Sequence, residues 1–379
     1  MVGAGVATPV GLDLDSFWSG LLAGSDGLSA IERFPVGDLR VGRGGEIKKL
    51  PPVAAGVRSR AAALLIAAAA DLKGRVSLEA APERIAVVVG TALGGVEELE
   101  HAVAGDRSPR RALGALYDAP AHALAAWLDA RGPAITVSSA CASGATALGL
   151  GADLLREGQA DLVVAGGYDI LCRFVLRGFD ALRSLTRDRV RPFDRRRSGL
   201  LLGEAAGLTL LARERDTPGR SLGRLLGHGS ASDASHIAAP DPQGGGLERA
   251  IHAALGAAGV DAGDLDFVSA HGTGTPLNDR IETAVLRRVL GGRASQVPVN
   301  SIKGALGHTM GAAAALEAIM CLLAARDGLL PPTVGYEEPD PDCALDYVPG
   351  ACRVARPRLM LSTSLGFGGC NAALVLEGM

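Results

Sequence analysis

Eight short runs rich in Val, Ile and Leu constrain the fold more than anything else in this sequence. They fall at 85–89, 135–138, 162–166, 208–211, 266–270, 297–301, 360–364 and 372–377. A strand with one wet face alternates apolar and polar residues, whereas a continuous apolar run requires a sheet covered on both faces. The longer segments 120–130, 142–157, 246–258, 279–290 and 311–327 have helical character. Strands alternating with helices predict an α/β architecture with parallel pairing. With 52 glycines and only 3% aromatic residues, close backbone packing is expected rather than an aromatic-lined cavity. The 48% hydrophobic content supports a large core and argues against disorder. A charged stretch at 187–197 and the segment 213–220, with its Pro218-Gly219, punctuate the chain. They divide it into comparable α/β halves, 1–220 and 221–379, although no literal sequence repeat joins the two.

Several function classes fall away on composition. A formal charge of −3 and a pI near 6.2 give no electrostatic basis for nucleic-acid binding. The six cysteines contain no CxxC pair, so neither a zinc site nor a disulfide framework is expected, and reduced thiols in a cytoplasm fit better. No basic region precedes the apolar residues of the N-terminus, so no signal peptide is expected. The apolar helical stretches 61–72 and 311–325 are shorter than the roughly 20 residues of a bilayer span and read as buried helices.

Four segments carry candidate chemistry. In Thr136-Val-Ser-Ser-Ala-Cys141-Ala-Ser-Gly144 a strand ends and a small-residue helix begins at or beside Cys141. Helix-start N–H groups and the positive end of the macrodipole lower a thiol pKa, and the thiolate is the nucleophile. The local pattern alone equally fits an inert buried thiol. The other five cysteines lack this setting and are expected to serve packing. In Val268-Ser-Ala-His271-Gly-Thr-Gly-Thr-Pro-Leu-Asn-Asp279 a strand presents an imidazole before a glycine-rich turn. Thr273 and Thr275 offer hydroxyls to an extended polar ligand. Asp279 and Glu282 fall in a first helical turn, where acidic residues are favoured in any case. In Val299-Asn-Ser-Ile-Lys303-Gly-Ala-Leu-Gly-His308 the imidazole precedes a small-residue helix. Lys303 and Glu317 can form a buried ion pair there, although a lone His is more often a satisfied core residue. Leu365-Gly-Phe367-Gly-Gly-Cys-Asn371 is a glycine-rich turn able to aim N–H groups into a cavity.

In this order the four segments resemble the thiolase-fold β-ketoacyl-carrier-protein synthases of fatty-acid and type II polyketide synthesis. The likeness runs from Val2-Gly-Ala-Gly-Val-Ala-Thr-Pro-Val-Gly11 to the end of the chain. It includes Arg191-Pro-Phe-Asp194, Gly203-Glu204, Ser232-Asp-Ala-Ser-His236 and Pro240-Asp-Pro-Gln-Gly244. The resemblance implies two similar halves in an α-β-α-β-α body, with decarboxylative condensation of a Cys141-bound acyl group with malonyl-carrier protein. His271 and His308 serve the malonyl thioester, Lys303 and Glu317 form a supporting pair, and Thr273 and Thr275 hold the pantetheine arm. The N–H groups of Cys141 and Phe367 form an oxyanion hole, while Phe367 and the 240–245 loop with Asp241 act as gates. No metal or redox cofactor is implied. The partners implied are an acyl carrier protein and a second subunit, either another copy or a chain-length factor.

The chain departs from that pattern in four places. The usual strand before Gly3 is almost absent, so the start reads as trimmed or misassigned. The region 105–117, which supplies dimer interface and pocket floor in relatives, looks shortened. The helix around 58–72 appears compressed, and Cys370 stands where Thr or His is more usual. A thiolase is the nearest rival and would use Cys370 as acid/base; a chain-length factor would lack the nucleophile. The 172–180 stretch weakly resembles synthases of polyene clusters. Lys48, Lys49, Arg58, Arg60, Arg173 and Arg177 are candidates for docking an acidic carrier, each against the alternative of an ordinary surface charge.

Overall fold

The computed structural model describes residues 1–51, 57, 59–106, 108–216 and 221–379. Two five-stranded sheets carry the fold. The first contains β1 (Gly3–Ala7), β2 (Ile85–Gly90), β3 (Ala134–Val137), β4 (Leu162–Asp169) and β5 (Ala205–Ala212), in the order β1-β5-β4-β2-β3. The second contains β6 (Gly223–Ser232), β7 (Phe267–Ser269), β8 (Val299–Asn300), β9 (Leu359–Gly366) and β10 (Cys370–Gly378), in the order β6-β10-β9-β7-β8. Strand for strand the two orders are the same, and so are the directions. The fourth strand of each set runs parallel to the second, the second parallel to the third, and the fifth antiparallel to both the first and the fourth. This duplication is not visible as a repeat in the residues.

The expected parallel pairing is present, but each sheet also has antiparallel strands and is mixed. A strand buried on both faces shows a continuous apolar run whichever way it points, so the pattern carries no direction. The tight turn between Gly366 and Cys370 leaves β9 and β10 no choice but to run antiparallel.

Helix α2 (Ser143–Arg156) and helix α6 (Ala313–Asp327) lie between the sheets, each touching strands of both. Every residue of α6 from Ala313 to Ala324 is buried, as a helix without a polar face must be. Helix α1 (Arg60–Arg75) covers the outer face of the first sheet, while α4 (Gly245–Ala258) and α5 (Pro276–Leu290) cover that of the second. A shorter helix, α3 (Arg173–Ala181), sits at the end of the sheets beside the Gly366–Cys370 turn. The body is thus layered α-β-α-β-α. Among the described residues no helix is long and apolar enough to cross a membrane.

Two strands of these sheets escaped the apolar-run criterion because helices press on their glycines. A Cβ on Gly5 of β1 would lie 2.2 Å from the Ala68 carbonyl, and one on Gly229 of β6 equally close to the Ala250 carbonyl. The glycine-rich start Gly3–Ala7 itself forms the first strand. The 187–197 stretch, which punctuates the sequence, packs into the body. Phe193 is fully buried and stacks on Tyr347 with ring centroids 4.0 Å apart, and Asp194 accepts from the N–H groups of Glu337 and Glu338.

Candidate active site

The chain ends of β3, β7, β8 and β9 meet at one point between the halves. After β3 the backbone turns sharply through Ala140, whose φ of +51° is rare for a residue with a side chain, and α2 begins at Ser143. Cys141 sits in that turn, 6% exposed, at the mouth of the helix. Gly144 allows the approach of the opposing half, since a Cβ there would lie 2.8 Å from the Gly311 carbonyl.

His308 Nε2 lies 3.0 Å from Cys141 Sγ. The His271 ring stands edge-on to the His308 ring at 83°, with centroids 5.2 Å apart. The Met310 N–H donates to His308 Nδ1 at 3.2 Å, which makes that nitrogen the acceptor and leaves the hydrogen on Nε2, pointing at the sulfur. Burial holds both imidazoles well below their ordinary pKa, and the nearby Lys303 ammonium acts in the same direction, so both rings are neutral donors. Lys303 Nζ pairs with Glu317 Oε1 at 2.5 Å, both side chains being almost fully buried.

The sulfur departs from expectation. Burial pushes the Cys141 thiol up to about 12, whereas the helix start was expected to lower it. Lys303 and a hydrogen bond from the Phe367 N–H pull it down, while Asp169 and Glu317 push it up. Desolvation of the anion therefore outweighs the favourable dipoles.

A cavity of about 440 Å³ leads from Cys141, His271 and His308 outward past Thr273 and Thr275. The two threonine hydroxyls lie 2.9 Å apart. Phe367 lines the same cavity, with its ring against Phe179 at 5.4 Å. Asp241 does not line it. Its carboxylate accepts from the N–H groups of Gln243 and Gly245 at the start of α4, and its own N–H donates to Asp233 Oδ2 at 2.9 Å. Asp233 in turn accepts from Asn371 and donates to the Gly369 carbonyl, which ties the 233–245 loop to the Phe367 turn.

Asp279 and Glu282, read as ordinary helix-start acids, are fully buried and brace the histidine loop from within. Glu282 accepts from the N–H groups of His271 and Gly272 at 2.7 and 2.8 Å and from the Thr363 hydroxyl, and burial pushes it up to about 7. Asp279 accepts from the N–H groups of Phe193, Thr273 and Gly274. Asp169, at the end of β4, was not singled out at all, because nothing in Ala-Gly-Gly-Tyr-Asp marks it.

Both imidazoles line the cavity with Cys141, whereas Cys370, the acid/base candidate of the thiolase reading, is not among its lining residues. Cys172, Cys321 and Cys343 are buried as expected of packing residues; Cys352 is exposed and does not fit that reading. Of the docking candidates, Arg60 points inward to the buried Glu204 at 2.9 Å, Arg173 and Arg177 share Asp38, and Lys48 pairs with Glu46. Lys49 is exposed, and Arg58 lies outside the described residues. A buried carboxylate needs a partner, which is why Arg60 is committed to Glu204.

Comparison with known proteins adds to this geometry. Residues 1–217 match the family model described as beta-ketoacyl synthase, N-terminal domain, and residues 222–337 the one described as beta-ketoacyl synthase, C-terminal domain. The chain is 37% identical to the tetracenomycin polyketide synthase ketoacyl synthase alpha subunit of Streptomyces glaucescens, over 99% of this chain and 96% of that one. It superposes on the ishigamide ketosynthase/chain length factor with a TM-score of 0.91 at 34% identity, covering 100% of this chain and 98% of that one. A type II PKS acyl-carrier protein in complex with its ketosynthase bound to the hexaketide gives 0.92 at 26% identity, covering 100% and 98%.

Proposed function

The chain belongs to the β-ketoacyl synthase family, and we propose that it joins a Cys141-bound acyl group to the two-carbon unit of malonyl-carrier protein. The observation that carries this reading is the convergence of one sulfur and two neutral imidazoles, from three separated segments, at the inner end of one cavity.

The steps follow from the charges each group is built to meet. Cys141 sulfur attacks the carbonyl of an acyl-carrier thioester, and the tetrahedral oxyanion is met by the N–H groups of Cys141 and Phe367. The carrier thiol leaves with the proton that the cysteine brought. Malonyl thioester then enters past Thr273 and Thr275, and its C–C bond to the carboxylate breaks, releasing carbon dioxide. The electron pair moves onto the thioester oxygen as an enolate. Nε2–H of His308 and an N–H of His271 stabilise that oxygen, each donor contributing about 3–4 kcal/mol in the manner of oxyanion-hole donors. The enolate carbon attacks the Cys141 acyl carbonyl, and the cysteine thiolate is expelled as the β-ketoacyl-carrier product forms. The steps balance without a metal or redox cofactor.

Lys303 acts at a distance. Its ammonium favours the thiolate and disfavours imidazolium, keeping the nucleophile available and the two rings as donors. The proposed partners are an acidic acyl carrier protein and a second subunit, either another copy of this chain or a chain-length factor. A cytoplasmic location belongs to the same proposal and suits six free cysteines.

Replacing Cys141 tests the reading. Cys141→Ala is expected to form no β-ketoacyl product from acyl- and malonyl-carrier substrates, whereas Cys141→Gln, with both imidazoles in place, is expected still to release carbon dioxide from malonyl-carrier protein. Substantial product from the Ala variant, or a folded Gln variant silent in decarboxylation, contradicts it.

A further inference from the structure

Behind the contact between Cys141 and His308 lies a carboxylate that the reaction above does not use. Asp169 is fully buried. Its Oδ1 accepts from the Thr91 hydroxyl at 2.6 Å and the Leu93 N–H at 3.1 Å, and its Oδ2 from the N–H groups of Ala92 and Gly311 at 2.8 and 2.7 Å. Removing a carboxylate from water is expensive, and four converging donors offset that cost.

The Gly311 bond is the one that reaches the chemistry. The preceding residue, Met310, donates its N–H to His308 Nδ1 and sits at φ +51°, a backbone state that a residue with a side chain keeps only when its surroundings hold it. Gly311 itself is pressed against the carboxylate, since a Cβ there would lie 2.8 Å from Asp169 Oδ2 and 2.6 Å from Thr91 Cα. The same carboxylate reaches the nucleophile from the other side. The carbonyl of Thr91 lies 3.2 Å from the Ser143 hydroxyl, which also bonds the Ala140 carbonyl at 2.5 Å and accepts from the Ser139 N–H. One side chain therefore links the loop after β2, the Cys141 turn and the His308 turn.

We propose that Asp169 is a positioning residue: by holding the Gly311 N–H it fixes the His308 ring with Nε2–H toward the reacting atoms. It touches no substrate. Its effect on turnover rests on the condensing reaction proposed above; its effect on the Cys141 sulfur does not.

Two variants of the full chain separate this role from general damage. Asp169→Ala and Asp169→Asn both remove the negative charge, but only the amide keeps an acceptor oxygen for Gly311. Per titrated Cys141 thiol, the Ala variant is expected to condense about tenfold more slowly than the Asn variant, with KM for malonyl-carrier protein within about twofold. Alkylation of Cys141 by iodoacetamide is expected to be about threefold slower in the Ala than in the Asn variant, because the sulfur loses its donor. Equal rates in both assays, or a difference confined to the thermal midpoint, overturn the proposal. Should the Ala variant not fold, Thr91→Val and Thr91→Ser read the same anchor. The Val variant is expected to alkylate about threefold more slowly than the Ser variant, and equality overturns the proposal. Unaltered protein that alkylates normally yet makes no β-ketoacyl product refutes the condensing reading instead, and the alkylation comparison then decides the role of Asp169 alone.

Discussion

A cysteine shut away from water, with a neutral imidazole N–H as its neighbour, is a restrained nucleophile. Its thiol is pushed up to about 12 by burial, so at neutral pH little thiolate exists in the free protein. The acid form is lost only as pH rises toward that value, and alkylation of Cys141 is therefore expected to keep climbing above pH 9 rather than level off. A plateau below pH 8 contradicts this. Lys303 is the cation that favours the thiolate, so Lys303→Met is expected to slow alkylation at fixed pH by about tenfold, measured against the folded fraction. An unchanged rate removes Lys303 from the electrostatics of the site. At this scale the sequence was informative where chemistry dictates residue type: Cys141, His271, His308, Lys303 and Glu317 do come together. It was silent on Asp169 and misleading on Asp279 and Glu282. An acid bracing a loop from within looks, in one dimension, the same as an acid at a helix start.

Elements meet here through glycine. A Cβ on Gly167 of β4 would fall 2.1 Å from the Gly311 carbonyl, and one on Gly90 of β2 would fall 2.3 Å from the Ser143 carbonyl. The first contact sets how closely the two halves approach at the nucleophile, and the second how closely α2 approaches β2 within the first half. Gly167→Ala forces the strand away from the His308 turn and is expected to cost about 1–3 kcal/mol in chemical denaturation, together with a fall in turnover per folded molecule. Unchanged stability shows the contact to be slack. The same glycines explain which elements were legible. The Val-rich strands β2 and β4 and the largely apolar helix α6 stand out in the residues. β1 and β6 do not, because the helices lying on them require Gly at positions where Val or Ile would announce a strand. Strand direction was illegible for another reason: a run buried on both faces reads alike forwards and backwards.

At the scale of the whole molecule, each sheet ends in strands with a single neighbour among the described residues: β1 and β3 in the first, β6 and β8 in the second. β3 is the one whose end is reached by an exposed apolar segment: the Tyr117 hydroxyl bonds Ser138 just after β3, and Leu113, Leu116 and Tyr117 are 65%, 54% and 41% exposed. An uncovered strand edge beside apolar side chains is a pairing surface. Light scattering is expected to give a pair, twice the 38.5 kDa chain mass alone or one copy with a co-expressed chain-length-factor subunit, and Leu116→Asp is expected to weaken it. A monomer under both conditions contradicts the expectation. Condensation depends on the sulfur of Cys141 carrying the acyl group while the two imidazoles release and guide the carbanion. Intact-mass measurement of the carrier protein, after incubation with acyl- and malonyl-loaded forms, tests this most directly. The unaltered chain is expected to convert the malonyl carrier to a β-ketoacyl carrier, with transient acyl mass on the peptide containing Cys141, and Cys141→Ala to do neither. Conversion by the Ala variant, or acyl mass found on a different residue, contradicts the account.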